Sequence, residues 1–216
     1  IKETSNFPGR YNFLCLVFNN RLWAIGGGPS TIFPLHNVFS SADGISWRLE
    51  GNFSNYGRDY LAGAVVDGRI ELIGGRTTGS PCDLLASADG GHWAIATPGF
   101  ILSTRGNPAI ATFNDKLWLL GGSVGSADIG GNDFRDVLCS NDGFYWTTAV
   151  SRAPFLARSA AASLDFNGRL WIIAGERESY WIAPYLNDVW SSADGTTWTQ
   201  ATAAAPPKGR APFKPQ

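Results

Sequence analysis

The sequence predicts an all-β fold built from four copies of a four-stranded antiparallel meander. Three observations predict it: strand-length apolar runs, turn signals at every run boundary, and recurrence of the whole pattern along the chain. Residues 156–198 show one copy most clearly. Small and apolar residues follow Arg158 and end at the turn pair Asn167-Gly168. A second run, Leu170 to Ile173, stops at Ala174-Gly175, and an irregular loop follows. A third, Asp188 to Ser191, leads into Ala193-Asp194-Gly195, and Trp198 opens a fourth. The runs favour β-branched and aromatic residues, as half-buried strands do.

The same landmarks recur in register. Arginine opens each copy at Arg10, Arg58, Arg105 and Arg158. The first turn falls at Asn19-Asn20, Asp67-Gly68, Asn114-Asp115 and Asn167-Gly168. The second strand ends at Gly26-Gly27, Gly74-Gly75, Gly121-Gly122 and Ala174-Gly175. Asp-Gly follows the third at Asp43, Asp89, Asp142 and Asp194, and Trp47, Trp93, Trp146 and Trp198 close the copies. A period of roughly 50 residues reads as a repeat architecture. The repeats span residues 9–50, 57–96, 104–149 and 157–202 of a single domain, and Lys208 to Gln216 reads as the start of a fifth. One meander cannot bury both faces, so the units must pack on each other, and units of this size pack radially as β-propeller blades. Exposed blade edges invite pairing, so some closure is expected. Three arrangements fit: the chain is a piece of a longer array, two chains share one ring of eight blades as a homodimer or larger assembly, or a four-bladed ring closes on itself.

Composition excludes several functions. The net charge is −1 and the 17 basic residues are unclustered, which argues against a nucleic-acid partner. The longest apolar runs are strand-sized, so no membrane span is predicted. Ile1 and the lack of any methionine suggest a processed or trimmed end. Cys15, Cys82 and Cys139 form neither a metal motif nor an even disulfide set. Cys15 stands where the other repeats have Gly63, Ile110 and Ser163, which predicts a buried structural thiol. Asn52-Phe53-Ser54 is a sequon usable in a eukaryotic secretory pathway.

The pattern Arg-small-small, turn, Leu-Trp-x-x-Gly-Gly, loop, Asn-Asp-Val-Trp, Ser-x-Asp-Gly-x-x-Trp resembles Kelch repeats over essentially the whole chain. It looks most like the type found in secreted or surface proteins of microbes, which implies an extracellular or cell-surface location. The Ser-Ala-Asp-Gly-x-x-Trp ending also resembles the structural Asp-box of sialidase-type propellers, one residue short. Kelch rings usually hold about six or seven blades, so four repeats depart from the pattern. The likeness speaks for fold more than function, since Kelch propellers act as binding scaffolds, protein adaptors, sugar mutarotases and copper oxidases.

Strand direction sorts the residues into two faces. Arginines, post-glycine loops and linkers share one, and the Asp-Gly turns share the other, where tight-turn chemistry explains Asp and Gly. The loop face varies between repeats, as functional loops do. Eight of the nine tryptophans occupy repeat positions, and Trp181 does not. With Glu176, Arg177 and Tyr180 beside it, Trp181 is suited to stack on a sugar or anchor a peptide. The ring of Arg10, Arg58, Arg105 and Arg158 either ties loop carbonyls together or receives a carboxylate. These eight residues form the expected ligand site of a non-catalytic module for a glycan or protein partner. The alternatives are a mutarotase-type sugar isomerase, with Glu176 and Arg158 or Arg177 moving a proton, and a structural subunit of an extracellular assembly.

Other chemistry is weaker. His36 and His92 fall on opposite faces, and the copper-oxidase set of two His, two Tyr and one Cys does not converge, so no cofactor is expected. Asp128 to Asp133 is acidic and glycine-rich but lacks a calcium-loop spacing, and reads as surface loop. Glu71 replaces the second-strand tryptophan of the other repeats and reads as packing at a rim or interface.

Overall fold

The computed structural model describes residues 7–29, 33–76, 84–97, 105–124, 132–177 and 185–202. It contains four four-stranded antiparallel sheets, each in simple meander order. Sheet 1 holds β1 (Leu14–Phe18), β2 (Arg21–Ile25), β3 (Asn37–Ser41) and β4 (Arg48–Asn52). Sheet 2 holds β5 (Asp59–Val66), β6 (Arg69–Arg76), β7 (Leu84–Ser87) and β8 (Ala94–Thr97). In the third repeat β9 (Arg105–Gly106), β12 (Ser123–Val124) and β13 (Asn132–Asp133) form a small extra sheet. Sheet 3 itself is β10 (Ala109–Phe113), β11 (Lys116–Leu120), β14 (Val137–Ser140) and β15 (Thr147–Val150). Sheet 4 holds β16 (Ala162–Phe166), β17 (Arg169–Glu176), β18 (Tyr185–Ser192) and β19 (Trp198–Thr202). No helix among the described residues is long and apolar enough to cross a membrane.

The turn residues explain why the meander forms. All eight residues of the first-hairpin turns have φ between 46° and 69°. A two-residue turn with positive φ at both positions matches the twist of the flanking strands, and Asn, Asp and Gly tolerate it best. At the other end, Ser41, Ser87, Ser140 and Ser192 each accept the N–H of the turn glycine. The same hydroxyls donate to the turn aspartate. Each third–fourth strand pair also carries a register shift, at Val38/Phe39, Leu84/Leu85, Val137/Leu138 and Val189/Trp190. A bulge at one fixed place bends all four sheets alike.

The core lies between sheets. Phe18, Trp23, Val38, Ile70 and Leu72 join sheets 1 and 2. Ile73, Leu84, Leu119 and Leu138 join sheets 2 and 3. Phe113, Trp118, Val137, Leu170 and Trp198 join sheets 3 and 4. Two linker phenylalanines plug their own sheets: Phe155 stands edge-on to Trp198, and Phe7 packs on Phe39 and Trp47.

One contact is made three times. The second-strand side chain of one sheet covers the Asp-Gly turn of the next: Trp23 over Gly90, Glu71 over Gly143 and Trp118 over Gly195. A Cβ on any of these glycines would fall inside the facing group, so only glycine fits. Each tryptophan also donates its indole N–H within its own sheet, Trp23 to Phe18 O and Trp118 to Phe113 O, both at 2.9 Å.

The array does not close into a ring, and this corrects the expectation for Cys15. The matching residue of each later sheet faces the sheet before it, as Gly63 faces Leu14. Among the described residues no strand packs on that side of β1, and Cys15 is exposed. Trp118→Ala removes an indole shared by two sheets and is expected to cost about 3–5 kcal/mol, read from the urea midpoint at constant m-value.

Candidate functional site

The residue two after each opening arginine, at Asn12, Tyr60, Asn107 and Ala160, has φ between 50° and 57°. That left-handed step interrupts the pairing of the first strand, which in β5 skips Tyr60, and turns backbone groups toward the neighbouring repeat. Tyr60 N–H donates to Asn12 O at 3.0 Å, Asn107 N–H to Tyr60 O at 3.3 Å and Ala160 N–H to Asn107 O at 2.9 Å. A single-file hydrogen-bond ladder thus links the four repeats where the arginines enter. Sequence reading missed it, because Asn, Tyr, Asn and Ala share no side-chain chemistry.

Every arginine reaches 16 residues ahead to the carbonyl that ends its own second strand. Arg10 Nη1 donates to Gly26 O at 2.9 Å, Arg58 Nη1 to Gly74 O at 3.4 Å, Arg105 Nη1 to Gly121 O at 2.9 Å and Arg158 Nη1 to Ala174 O at 2.8 Å. Arg105 and Arg158 also grip Asp136 and Asp188 with both Nη atoms, at 2.7 and 2.9 Å in each case. Such planar two-point pairs are the strongest ion pairs a guanidinium makes. Burial alone would raise the Asp188 carboxyl; hydrogen bonds from Arg158 and the Trp190 indole outweigh it and hold it below the usual carboxylate range.

Arg58, Arg105 and Arg158 are buried. They therefore belong to the framework rather than to a positive funnel open to solvent. Arg158 also donates Nε to Leu156 O, which leaves it no exposed donor for the proton-shuttling role weighed with Glu176. Asp136 and Asp188 are the functional partners that sequence reading passed over. Their signal was spacing, 31 and 30 residues after the arginine.

Arg10 differs. It is only half-buried, its guanidinium lies over the rings of Phe7 and Phe39, and burial lowers its pKa. Where sheets 3 and 4 supply aspartate, sheet 1 supplies Asn37. Arg10 Nη2 and Asn37 Oδ1 are both buried without a hydrogen-bond partner.

Sheet 4 carries the variable edge. Its β17 and β18 stay paired beyond Ala174, through Gly175↔Leu186 and Glu176↔Tyr185, with eight residues in each strand. The third strands β3, β7 and β14 have only four or five. Glu176 is anchored by a reciprocal backbone pair with Ser159, both bonds at 2.9 Å. Arg177 is exposed and Tyr185 is 80% exposed at the hairpin mouth. Tyr180 and Trp181, between them, lie outside the described residues, as do Arg210 and most of the Asp128–Asp133 segment.

The opposite face is structural. Asp43 accepts the N–H groups of Ser46 and Ile45, which lower its pKa to about 2. Asp89 is held well below its ordinary value, first by His92 N–H and then by the His92 ring, and Asp194 likewise by Thr197 and Thr196 N–H. Asp89 in turn raises the pKa of the exposed His92 ring. Among the described residues, no three His, Cys, Asp or Glu converge as a metal site.

Glu71 packs against the neighbouring sheet, as expected of a residue at an interface, here over the Gly143 turn. It is fully buried, and burial raises its pKa despite Arg69 Nε at 3.0 Å. Arg69 bridges to the next repeat, donating to Asp142 O at 2.8 Å and lying over Phe144. Glu71 Oε2 has no hydrogen-bond partner. No protein-family model and no curated protein matches the chain, so its functional reading rests on the repeat and this geometry.

Two outcomes follow from these buried charges. Asp188→Ala leaves the Arg158 guanidinium buried beside no carboxylate and should cost about 3–5 kcal/mol in denaturant titration. A carboxyl whose pKa is raised on folding stabilises most below its unfolded pKa of about 4.3, and loses that contribution as pH rises through the folded value. Wild type should therefore gain stability on Glu71→Gln as pH is lowered from 8 toward 4, as measured by paired urea titrations.

Proposed function

We propose that the chain is a non-catalytic binding module of Kelch-type propeller architecture. It holds a glycan or protein ligand on the loop face at the mouth of the β17–β18 hairpin. The observation that carries this reading is the unbroken run of that hairpin past Ala174, with Arg177 and Tyr185 exposed at its mouth. Arg58, Arg105, Arg158 and the turn aspartates are spent on the frame, whereas this edge is polar, aromatic and free of repeat duties. Aromatic faces beside charged groups recognise sugar rings and peptide anchors at low entropic cost.

Tyr180 and Trp181 complete the aromatic set in this reading, Glu176 sits at its base, and Arg10 is the ring arginine left for a carboxylate-bearing ligand. The likeness to secreted and surface repeats of microbes supports an extracellular setting. The test is binding of the whole chain to arrayed sialylated and neutral oligosaccharides and to immobilised acidic peptides. Trp181→Ala and Tyr185→Ala should each weaken the positive probes about tenfold or more, with the thermal midpoint unchanged. Wild-type binding by both variants would place the ligand elsewhere.

A further inference from the structure

We infer that the two ends of the array are halves of one junction, and that a second copy of this chain docks head to tail between them. Each internal junction has a donor half and a receiving half. The donor half is the second-strand knob with the outer face of the first strand. The receiving half is an Asp-Gly turn and the first strand of the following sheet.

Sheet 4 has an unused donor half. Its knob is Trp171, which keeps the same indole bond, to Phe166 O at 2.9 Å, but is only partly buried. Phe166 is 56% exposed, while its counterparts Phe18 and Phe113 are 4% and 1% exposed. Sheet 1 has an unused receiving half. Its turn keeps the Ser41–Asp43–Gly44 bonds, yet the space over Gly44 holds only Leu22 of its own sheet. Beside it Cys15 and Val17 are exposed, whereas Val65, the counterpart of Val17, packs into the core between sheets 1 and 2. The ladder ends in the same sense: among the described residues it stops at the Ala160 carbonyl and the Asn12 N–H.

The chain's own fifth opening, Arg210-Ala211-Pro212, cannot serve as this partner. Its residue two after arginine is proline, which has no N–H to give Ala160 and whose φ near −65° cannot reach the required positive value. Asn12 has both the donor and φ of 53°. Two copies of the four described meander sheets would fill one ring at the upper end of the usual range of about four to eight, and three copies would exceed it.

The junction is also built looser than the internal ones. A Cβ on Gly26, Gly74 or Gly121 would collide with the carbonyl of Arg58, Arg105 or Arg158 on the next sheet. At this position sheet 4 has Ala174, at φ 57°, so the incoming Arg10 carbonyl must stand off from a methyl group. The joint between copies is the one that opens.

Sedimentation velocity of the whole 23.2 kDa chain over a concentration series tests this, together with Trp171→Ala, Ala174→Gly and timed labelling of the Cys15 thiol. Wild type should approach twice the chain mass, and Trp171→Ala should weaken association about thirty-fold or more. Ala174→Gly should strengthen it several-fold. Cys15 labelling should slow with concentration in wild type and not in Trp171→Ala. A monomer at every concentration, or a dimer indifferent to Trp171→Ala, would overturn the inference. So would a monomer that Trp171→Ala destabilises as much as Trp118→Ala, because the ring would then close within one chain.

Discussion

The fold depends on the bond between each opening arginine and the carbonyl that ends its own second strand. That carbonyl lies at a glycine or alanine in left-handed conformation, where the regular pairing of the second strand with the third is interrupted. One guanidinium supplies the missing donor and, in sheets 3 and 4, draws the third strand in through aspartate. The arginine's own carbonyl meanwhile accepts from the preceding sheet, from Gly27 N–H at Arg58 and from Gly122 N–H at Arg158. Side chain and main chain of one residue therefore fasten two different neighbours. This is why an ionised group recurs at a buried position: one planar guanidinium reaches a carbonyl of its own sheet and, in sheets 3 and 4, a carboxylate as well.

Such economy leaves function to what is not repeated. A residue recurring in every sheet meets the same demand in every sheet: the turn aspartates accept the N–H groups of their turns, and each ring arginine donates to the carbonyl 16 residues ahead. The exceptions are informative. Asn37 in place of aspartate leaves Arg10 Nη2 without a hydrogen-bond partner, and the β17–β18 pairing continues past Ala174 to the exposed Tyr185.

Much of the fold was legible in the sequence because its signals are local. Asn19-Asn20 and Asp67-Gly68 announce positive φ by chemistry, and the Ser-x-Asp-Gly turns announce their own hydrogen bonds. What stayed hidden depends on distant parts of the chain. The ladder through Asn12, Tyr60, Asn107 and Ala160 uses backbone atoms alone, so no residue type betrays it. The reading of Cys15 assumed a sheet on either side of β1, and among the described residues there is one on a single side. The arginines were ambiguous because the same donors suit a carbonyl or a ligand; burial decides between them. Phe7 and Phe155 could have been found, since each lies three residues before its arginine.

The seam between sheets 2 and 3 gives the array a grain. Among the described residues its buried cluster is the smallest of the three, and its knob is a carboxylate where the other two have indoles. In a linear array, stability is the sum of each unit and its contacts with immediate neighbours, so one poor contact divides the sum. A weaker contact there would set sheets 1 and 2 apart from sheets 3 and 4 as separate units of stability. Slow hydrogen exchange would gather in two separate centres, and partial unfolding would release a half rather than fray a tip.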